Sequence, residues 1–129
     1  MKEPIIGVIG QGFVGNAIYQ GFKDYYKVLT YDKYIEEKSN STLENLVINS
    51  DVVFSCVPTP MKDTGECYTG IVEDVLNDIN IICQKKNIAE QIVVIKSTVI
   101  PGTTKKMNDM FPHLDIIFNP EFLTEANAV

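Results

Sequence analysis

The chain has 129 residues, of which 45% are hydrophobic and 22% charged, and its net charge at pH 7 is −6. The negative charge and the dispersed Lys and Arg residues argue against a nucleic-acid partner, because phosphate-binding surfaces need clustered basic residues. No apolar run approaches the ~20 residues of a membrane span, and the N-terminus lacks the apolar segment of a secretory signal. We therefore expect one cytoplasmic globular domain with no membrane partner.

The first predicted element is a strand over residues 5–9, an unbroken apolar run typical of a strand buried on both faces. Three glycines follow, and apolar residues then recur at helical spacing to about Asp24. This strand–turn–helix pattern is typical of a dinucleotide site. Gly10 allows the tight turn, Gly12 leaves room for a pyrophosphate, and Gly15 lets the helix pack closely on the strand. The alternative is a glycine turn with a structural role alone.

A second strand is predicted over residues 26–31, and it ends at Asp32, 22 positions after Gly10. That spacing is close to the ~20 residues expected for the carboxylate that binds the adenosine ribose. A carboxylate there favours NAD because it repels the extra phosphate of NADP, although the neighbouring Lys33 weakens this argument. The alternative is an Asp32 that only caps the next turn.

Helices and strands continue to alternate along the rest of the chain. Helices are predicted over residues 41–48, with Ser41 or Thr42 as the cap, over residues 69–86, and from Pro101 to about Met110. Strands are predicted over residues 51–57, 92–96 and 115–118. This alternation predicts an α/β fold, a Rossmann-type doubly wound parallel sheet with three α/β/α layers, formed by residues 1–129 as one domain.

Polar motifs follow the carboxyl ends of the later strands, where ligands bind in parallel sheets. Pro58 and Pro60 hold Thr59 in an extended backbone after the third strand, so that Thr59 is either a cofactor contact or a turn residue. A hydroxyl-rich turn over residues 97–104 follows the fourth strand, and residues 119–125 follow the fifth. The sheet should bring these motifs together with the glycine turn.

The three cysteines and the single histidine carry no predicted chemistry. Cys83 lies on the apolar stripe of a predicted helix, and Cys67 lies in a loop without a nearby histidine. His113 lies on a connection, so we predict a structural or solvated role for it. Together with Cys56 the cysteines form no C-x-x-C pair, which favours reduced thiols and no metal site.

Four motifs occur in the order found in the UDP-glucose/GDP-mannose dehydrogenase family. They are GQGFVG at residues 10–15, VPTP at 57–60, KSTVIPGTT at 96–104 and NPEFLTE at 119–125. The chain resembles the N-terminal NAD-binding domain of this family over nearly its whole length. The resemblance implies an enzyme that oxidises the C6 alcohol of a nucleotide sugar to a carboxylate with NAD, through a thioester on a cysteine. For the complete enzyme, we expect oxidation of UDP-glucose to UDP-glucuronate.

The resemblance also implies roles for individual residues. Thr98 would lie near the nicotinamide and a catalytic water, Glu121 would act as the acid/base group for that water, and Glu125 would lie close to the nicotinamide; these three are the implied catalytic residues. The implied cofactor-binding residues are Gly10, Gly12, Phe13, Val14, Gly15, Asp32, Lys33, Thr59, Thr98 and Glu125. By position alone, Glu121 and Glu125 would rather cap and solvate a following helix.

The chain also departs from the family pattern. The family's cysteine nucleophile, catalytic lysine and sugar-binding region belong to later domains, which this chain does not contain. We therefore expect it to bind NAD without turnover, and to form homodimers only together with those domains. The connection from Asp32 to Asp51 is shorter than is usual in the family, and Ala126 replaces a common glycine.

Two alternatives to this function remain open from the sequence. One is a stand-alone NAD(H) sensor or regulatory module, and the other is an enzyme acting on another nucleotide sugar or a hydroxy acid.

Overall fold

The computed structural model describes residues 4–10, 13–33, 39–57, 70–88, 90–96 and 103–118. Strands and helices alternate through these residues as predicted. In chain order they are β1 (Ile5–Ile9), α1 (Phe13–Phe22), β2 (Lys27–Tyr31), α2 (Leu43–Asn49), β3 (Val52–Ser55), α3 (Gly70–Lys85), β4 (Gln91–Ile95), α4 (Thr103–Met110) and β5 (Leu114–Phe118). Within the described ranges, no helix has the length and apolar character needed to cross a membrane.

The five described strands form one parallel sheet with the order β2-β1-β3-β4-β5. The chain passes from β1 outward to β2, returns past β1 to β3, and continues in that second direction. Because parallel crossovers are right-handed, this reversal puts α1 on one face of the sheet and the later helices on the other. The predicted doubly wound α/β fold is confirmed, and the direction of winding changes between β1 and β3.

The main core lies between the sheet and the face that carries α2, α3 and α4. Its members are buried strand and helix residues, including Leu29, Val53, Val93, Leu46 and Met107. From α3, the residues Val72, Leu76, Ile79 and Cys83 are fully buried. The helical stripe predicted for this segment is therefore correct, and Cys83 is a packing residue.

A smaller core lies under α1 on the opposite face. There Ile18, Tyr19 and Phe22 pack against strand residues that include Ile6 and Val8. Farther along this face, Ile92 of β4 and Ile117 of β5 remain 39% and 45% exposed, because no described helix covers them. The apolar run that predicts the fourth strand is thus not buried at Ile92.

Helix ends agree with the predictions to within a few residues. Thr42 is the cap of α2, and its Oγ1 accepts a hydrogen bond of 3.2 Å from the amide of Asn45. The first helix was predicted to end at about Asp24, and it ends at Phe22. The amides of Tyr25 and Tyr26 donate to the Phe22 carbonyl at 3.0 and 2.9 Å. These local hydrogen bonds close the helix before the chain enters β2.

Candidate cofactor site

Main-chain hydrogen bonds hold the carboxyl ends of neighbouring strands together. The amide of Gly10 donates to the carbonyl of Tyr31 at the end of β2, and the amide of Cys56 donates to Ile9 at the end of β1, each at 2.8 Å. The amide of Lys96 donates to the last residue of β3 at 2.9 Å. The segments that follow β1 to β4 therefore start from one common edge, at the position where ligands bind in doubly wound sheets.

Gly10 is required by both its conformation and its surroundings. Its φ is +92°, in the left-handed region that residues with side chains rarely adopt. A Cβ atom at this position would also lie 2.9 Å from the carbonyl oxygen of Cys56 and 3.2 Å from the amide nitrogen of Val57. The tight turn was predicted from the sequence, whereas the close approach of the chain after β3 had no sequence signal.

Gly15 brings α1 against the turn that precedes it. A Cβ atom at Gly15 would overlap the carbonyl oxygen of Gly10 and would lie 2.8 Å from the carbonyl carbon. By contrast, a Cβ atom at Gly21 of the same helix would meet nothing within 4 Å. The close packing predicted for Gly15 is present, and it makes the connection from β1 to α1 compact.

The start of α1 has the electrostatic character of an anion site. Its first turn contains no acidic residue, whereas the first turns of α2 and α3 carry Glu44 and Glu73. Acidic side chains in a first turn offset the positive end of the helix dipole. The positive end of α1 is not offset in this way, and it lies beside the glycine turn, which suits the binding of phosphate groups.

Asp32 directly follows Tyr31, the last residue of β2, whose carbonyl accepts a hydrogen bond from the Gly10 amide. Asp32 is half-buried and Lys33 is exposed. The Asp32 amide donates to Oγ of Ser39 at 2.7 Å. The structure thus brings Asp32 beside the glycine turn, as its spacing predicted, and adds Ser39, which sequence reasoning missed because one serine in a polar connection carries no distinguishing signal.

The described residues fit a dinucleotide. A close-packed glycine turn, the start of α1 with no acidic residue against its dipole, and Asp32 lie at the same carboxyl edge of the sheet. The contacts of these residues with the cofactor stay predictions. Of Phe13 and Val14, the structure gives only their place at the start of α1. The remaining predicted site residues, Gly12, Thr59, Thr98, Glu121 and Glu125, lie outside the described residues.

His113 has structural contacts. Its amide donates to Oδ1 of Asn80, and its Nδ1 lies 3.2 Å from the carbonyl oxygen of Ile88. These contacts join the turn before β5 to α3 and to the residues after it. They agree with the structural role predicted for this residue.

Comparisons with known proteins agree with this geometry. The family model described as "UDP-glucose/GDP-mannose dehydrogenase family, NAD binding domain" matches residues 27–129. The GDP-mannose 6-dehydrogenase of Pseudomonas aeruginosa is 35% identical over 95 residues, covering 64% of this chain and 21% of that protein. The UDP-glucose 6-dehydrogenase of Campylobacter jejuni is 35% identical over 92 residues, covering 70% of this chain and 22% of that protein.

A solved structure supports the fold. The UDP-glucose dehydrogenase of Pyrobaculum islandicum superimposes with a TM-score of 0.81 at 24% identity, over 98% of this chain and 38% of that one. The chain spans about a fifth of the length of the two curated relatives. The family match covers most of the chain, and it includes β2 with Asp32 and all later elements. The chain therefore belongs to the UDP-glucose/GDP-mannose dehydrogenase family, whose NAD-binding domain it forms.

Proposed function

We propose that this chain supplies the NAD-binding domain of an enzyme that oxidises UDP-glucose to UDP-glucuronate. The observation that carries the proposal is the family match through residue 129, which takes in the motifs at residues 96–104 and 119–125. Two relatives of equal identity, 35%, are named for different substrates. We propose UDP-glucose from the motif resemblance, since these two relatives do not distinguish the substrates.

The described residues have a binding role in this proposal. The amides at the start of α1 and the turn at Gly10 hold the pyrophosphate, and Gly15 allows that turn to stay compact. The carboxylate of Asp32 accepts hydrogen bonds from the adenosine ribose. The bound NAD supplies the hydride acceptor for the alcohol.

The proposed chemical roles come from the motif resemblance. Thr59 contacts the cofactor, Thr98 lies near a catalytic water, and Glu121 exchanges a proton with that water. Glu125 lies close to the nicotinamide. A general base must be within hydrogen-bond reach of the proton that it takes, and the segment containing Glu121 follows a strand whose carboxyl end belongs to the ligand edge.

The binding role is tested by titrating the 129-residue chain with NADH and NADPH while following nicotinamide fluorescence. We expect saturable binding that prefers NADH. Replacing Asp32→Asn should weaken NADH binding and reduce the preference over NADPH, because the carboxylate both accepts from the ribose and repels a 2′-phosphate. Equal affinity of the unsubstituted chain for the two nucleotides would contradict the role of Asp32.

The reaction is tested in the complete enzyme with UDP-glucose and GDP-mannose offered separately. We expect NADH production with UDP-glucose; production with GDP-mannose alone would assign the enzyme to the other branch of the family. Glu121→Gln should slow product formation severely with little change in NAD affinity. Unchanged turnover would remove Glu121 from the mechanism.

The expected partners and location belong to the same proposal. A nucleotide sugar is the proposed substrate partner, and homodimer formation is proposed for the complete enzyme. A cytoplasmic location also stays a prediction, which fractionation of the source cells would check.

A further inference from the structure

The free side of β2 is occupied by hydrogen-bonding groups from outside the sheet. β2 is the first strand in the sheet order, and it pairs with β1 alone among the described strands. An edge strand normally leaves a row of amide and carbonyl groups unpaired along its free side. Here the outward groups of Val28, Thr30 and Asp32 bond to residues 39–41.

The side chain of Asn40 pairs with β2 as the peptide group of a neighbouring strand would. Its Oδ1 accepts from the amide of Thr30 at 2.8 Å, and its Nδ2 donates to the carbonyl of Val28 at 3.0 Å. The main-chain amides of Asn40 and Ser41 donate to the carbonyl of Thr30 at 3.1 and 3.2 Å. The hydrogen-bond ladder of β2 therefore continues on its free side without a strand.

Ser39 extends this ladder to Asp32. Its Oγ accepts from the Asp32 amide at 2.7 Å, and the same hydroxyl donates to the Asp32 carbonyl at 3.3 Å. On the inner side of the strand, the amide of Gly10 donates to the carbonyl of Tyr31 at 2.8 Å. The backbone that carries the Asp32 side chain is thus held from the glycine turn on one side and from Ser39 on the other.

We propose that Ser39 is a positioning residue for cofactor binding. Ser39 fixes the backbone of Asp32, so that the Asp32 carboxylate is already in position for the adenosine ribose before NAD binds. This inference rests on the proposed role of Asp32. A group held in its bound position loses less conformational freedom on binding, so the affinity is higher than for a mobile group. Asn40 holds the same strand two residues earlier, at the amide of Thr30.

The first test compares two serines of one connection by NADH titration. Ser39→Ala should raise the Kd for NADH by roughly two- to tenfold, because losing the bond lowers the population of the positioned Asp32 backbone by at most the factor that one hydrogen bond contributes to an equilibrium constant. Ser41→Ala is the matched control, since the Ser41 hydroxyl bonds Thr42 and Asn45 and not β2. Ser39→Thr keeps a hydroxyl and should restore most of the affinity. Equal Kd values for Ser39→Ala and the unsubstituted chain would overturn the inference.

The second test asks whether Ser39 acts through Asp32. In the Asp32→Ala background, Ser39→Ala should change the Kd for NADH by less than twofold, since the carboxylate to be positioned is gone. A full additional loss would show that Ser39 acts by another route and would overturn the inference. If Asp32→Ala alone leaves the Kd unchanged, the proposed function of Asp32 fails and the inference fails with it.

A third measurement reports on Ser39 without any cofactor. Amide hydrogen exchange followed by NMR should show faster exchange of the Asp32 amide in Ser39→Ala, with the Thr30 amide unchanged because Asn40 still holds it. Unchanged exchange at Asp32 would overturn the proposed contact even if NADH binding were weakened. Weakened binding together with faster exchange at Asp32 would support it.

Discussion

Gly15 and Gly21 provide a matched pair of substitutions within α1. Alanine in place of glycine in a helix gains up to about 1 kcal/mol from helix propensity, and this gain is common to both positions. At Gly15 the new methyl group overlaps the carbonyl oxygen of Gly10, whereas at Gly21 it meets nothing within 4 Å. Overpacking costs about 1–3 kcal/mol, and a main-chain obstacle favours the upper part of that range.

We therefore expect Gly15→Ala to lower the free energy of unfolding by about 2 kcal/mol and Gly21→Ala to raise it by up to about 1 kcal/mol. For a domain of this length, each kcal/mol shifts Tm by roughly 4 °C. Thermal unfolding followed by circular dichroism would thus separate the two variants by about 10 °C. The NADH affinity should also fall at least about tenfold in Gly15→Ala alone, because the start of α1 must move away from the turn.

The refuting result is a Gly15→Ala variant that behaves like Gly21→Ala. If both variants unfold at or above the Tm of the unsubstituted chain and both bind NADH as it does, α1 does not pack against the Gly10 carbonyl. The geometry derived for the glycine turn would then be wrong.

Three further experiments test other parts of the structure. Gln91→Met should lower the free energy of unfolding by about 2 kcal/mol in urea titrations, since the buried Nε2 donates to two carbonyls at the end of α2. The same change at the exposed Gln84 should be nearly neutral. Equal effects of the two substitutions would argue against the hydrogen bonds of Gln91. Thr42→Ala should cost about 1 kcal/mol by loss of the α2 cap, and an unchanged urea midpoint would contradict that role. Burial raises the pKa of the Cys83 thiol, so the native chain should alkylate more slowly at Cys83 than at Cys56 when digests are analysed by mass spectrometry. Faster labelling at Cys83 would contradict its burial. Because the folded thiol holds its proton more tightly than the unfolded thiol, its contribution to stability is full below the pKa of the unfolded thiol and is lost as the pH rises through the folded pKa.

The alternation of elements was predictable because a parallel sheet covered by helices uses continuous apolar runs for strands and a period of 3.6 residues for helices. Ile92 shows the limit of this reasoning. An apolar strand residue in the sequence carries no mark of whether a helix covers its face, and here none of the described helices does. Coverage depends on where each crossover passes, which is a property of the whole sheet.

Much of the glycine turn was predictable for a similar local reason. The place of the glycines between a predicted strand and a predicted helix indicated the tight turn at Gly10 and the close packing at Gly15, since both concern neighbouring elements of the chain. The contact between Gly10 and Cys56 was not predictable, because it depends on β3 lying beside β1. Asn108 is comparable: its side chain pairs with the amide and carbonyl of Ile116 on β5, as Asn40 pairs with β2.

The sequence by itself determined the elements, their order, the turn at Gly10 and the placement of Asp32 at the end of a strand, because these depend on residues close together in the chain. The tertiary structure decided which strand forms the sheet edge, and therefore which polar residues complete it. Ser39 and Asn40 bond to β2 because residues 39–41 lie along that strand, and main-chain groups at a sheet edge bond to whatever polar group the fold brings within reach.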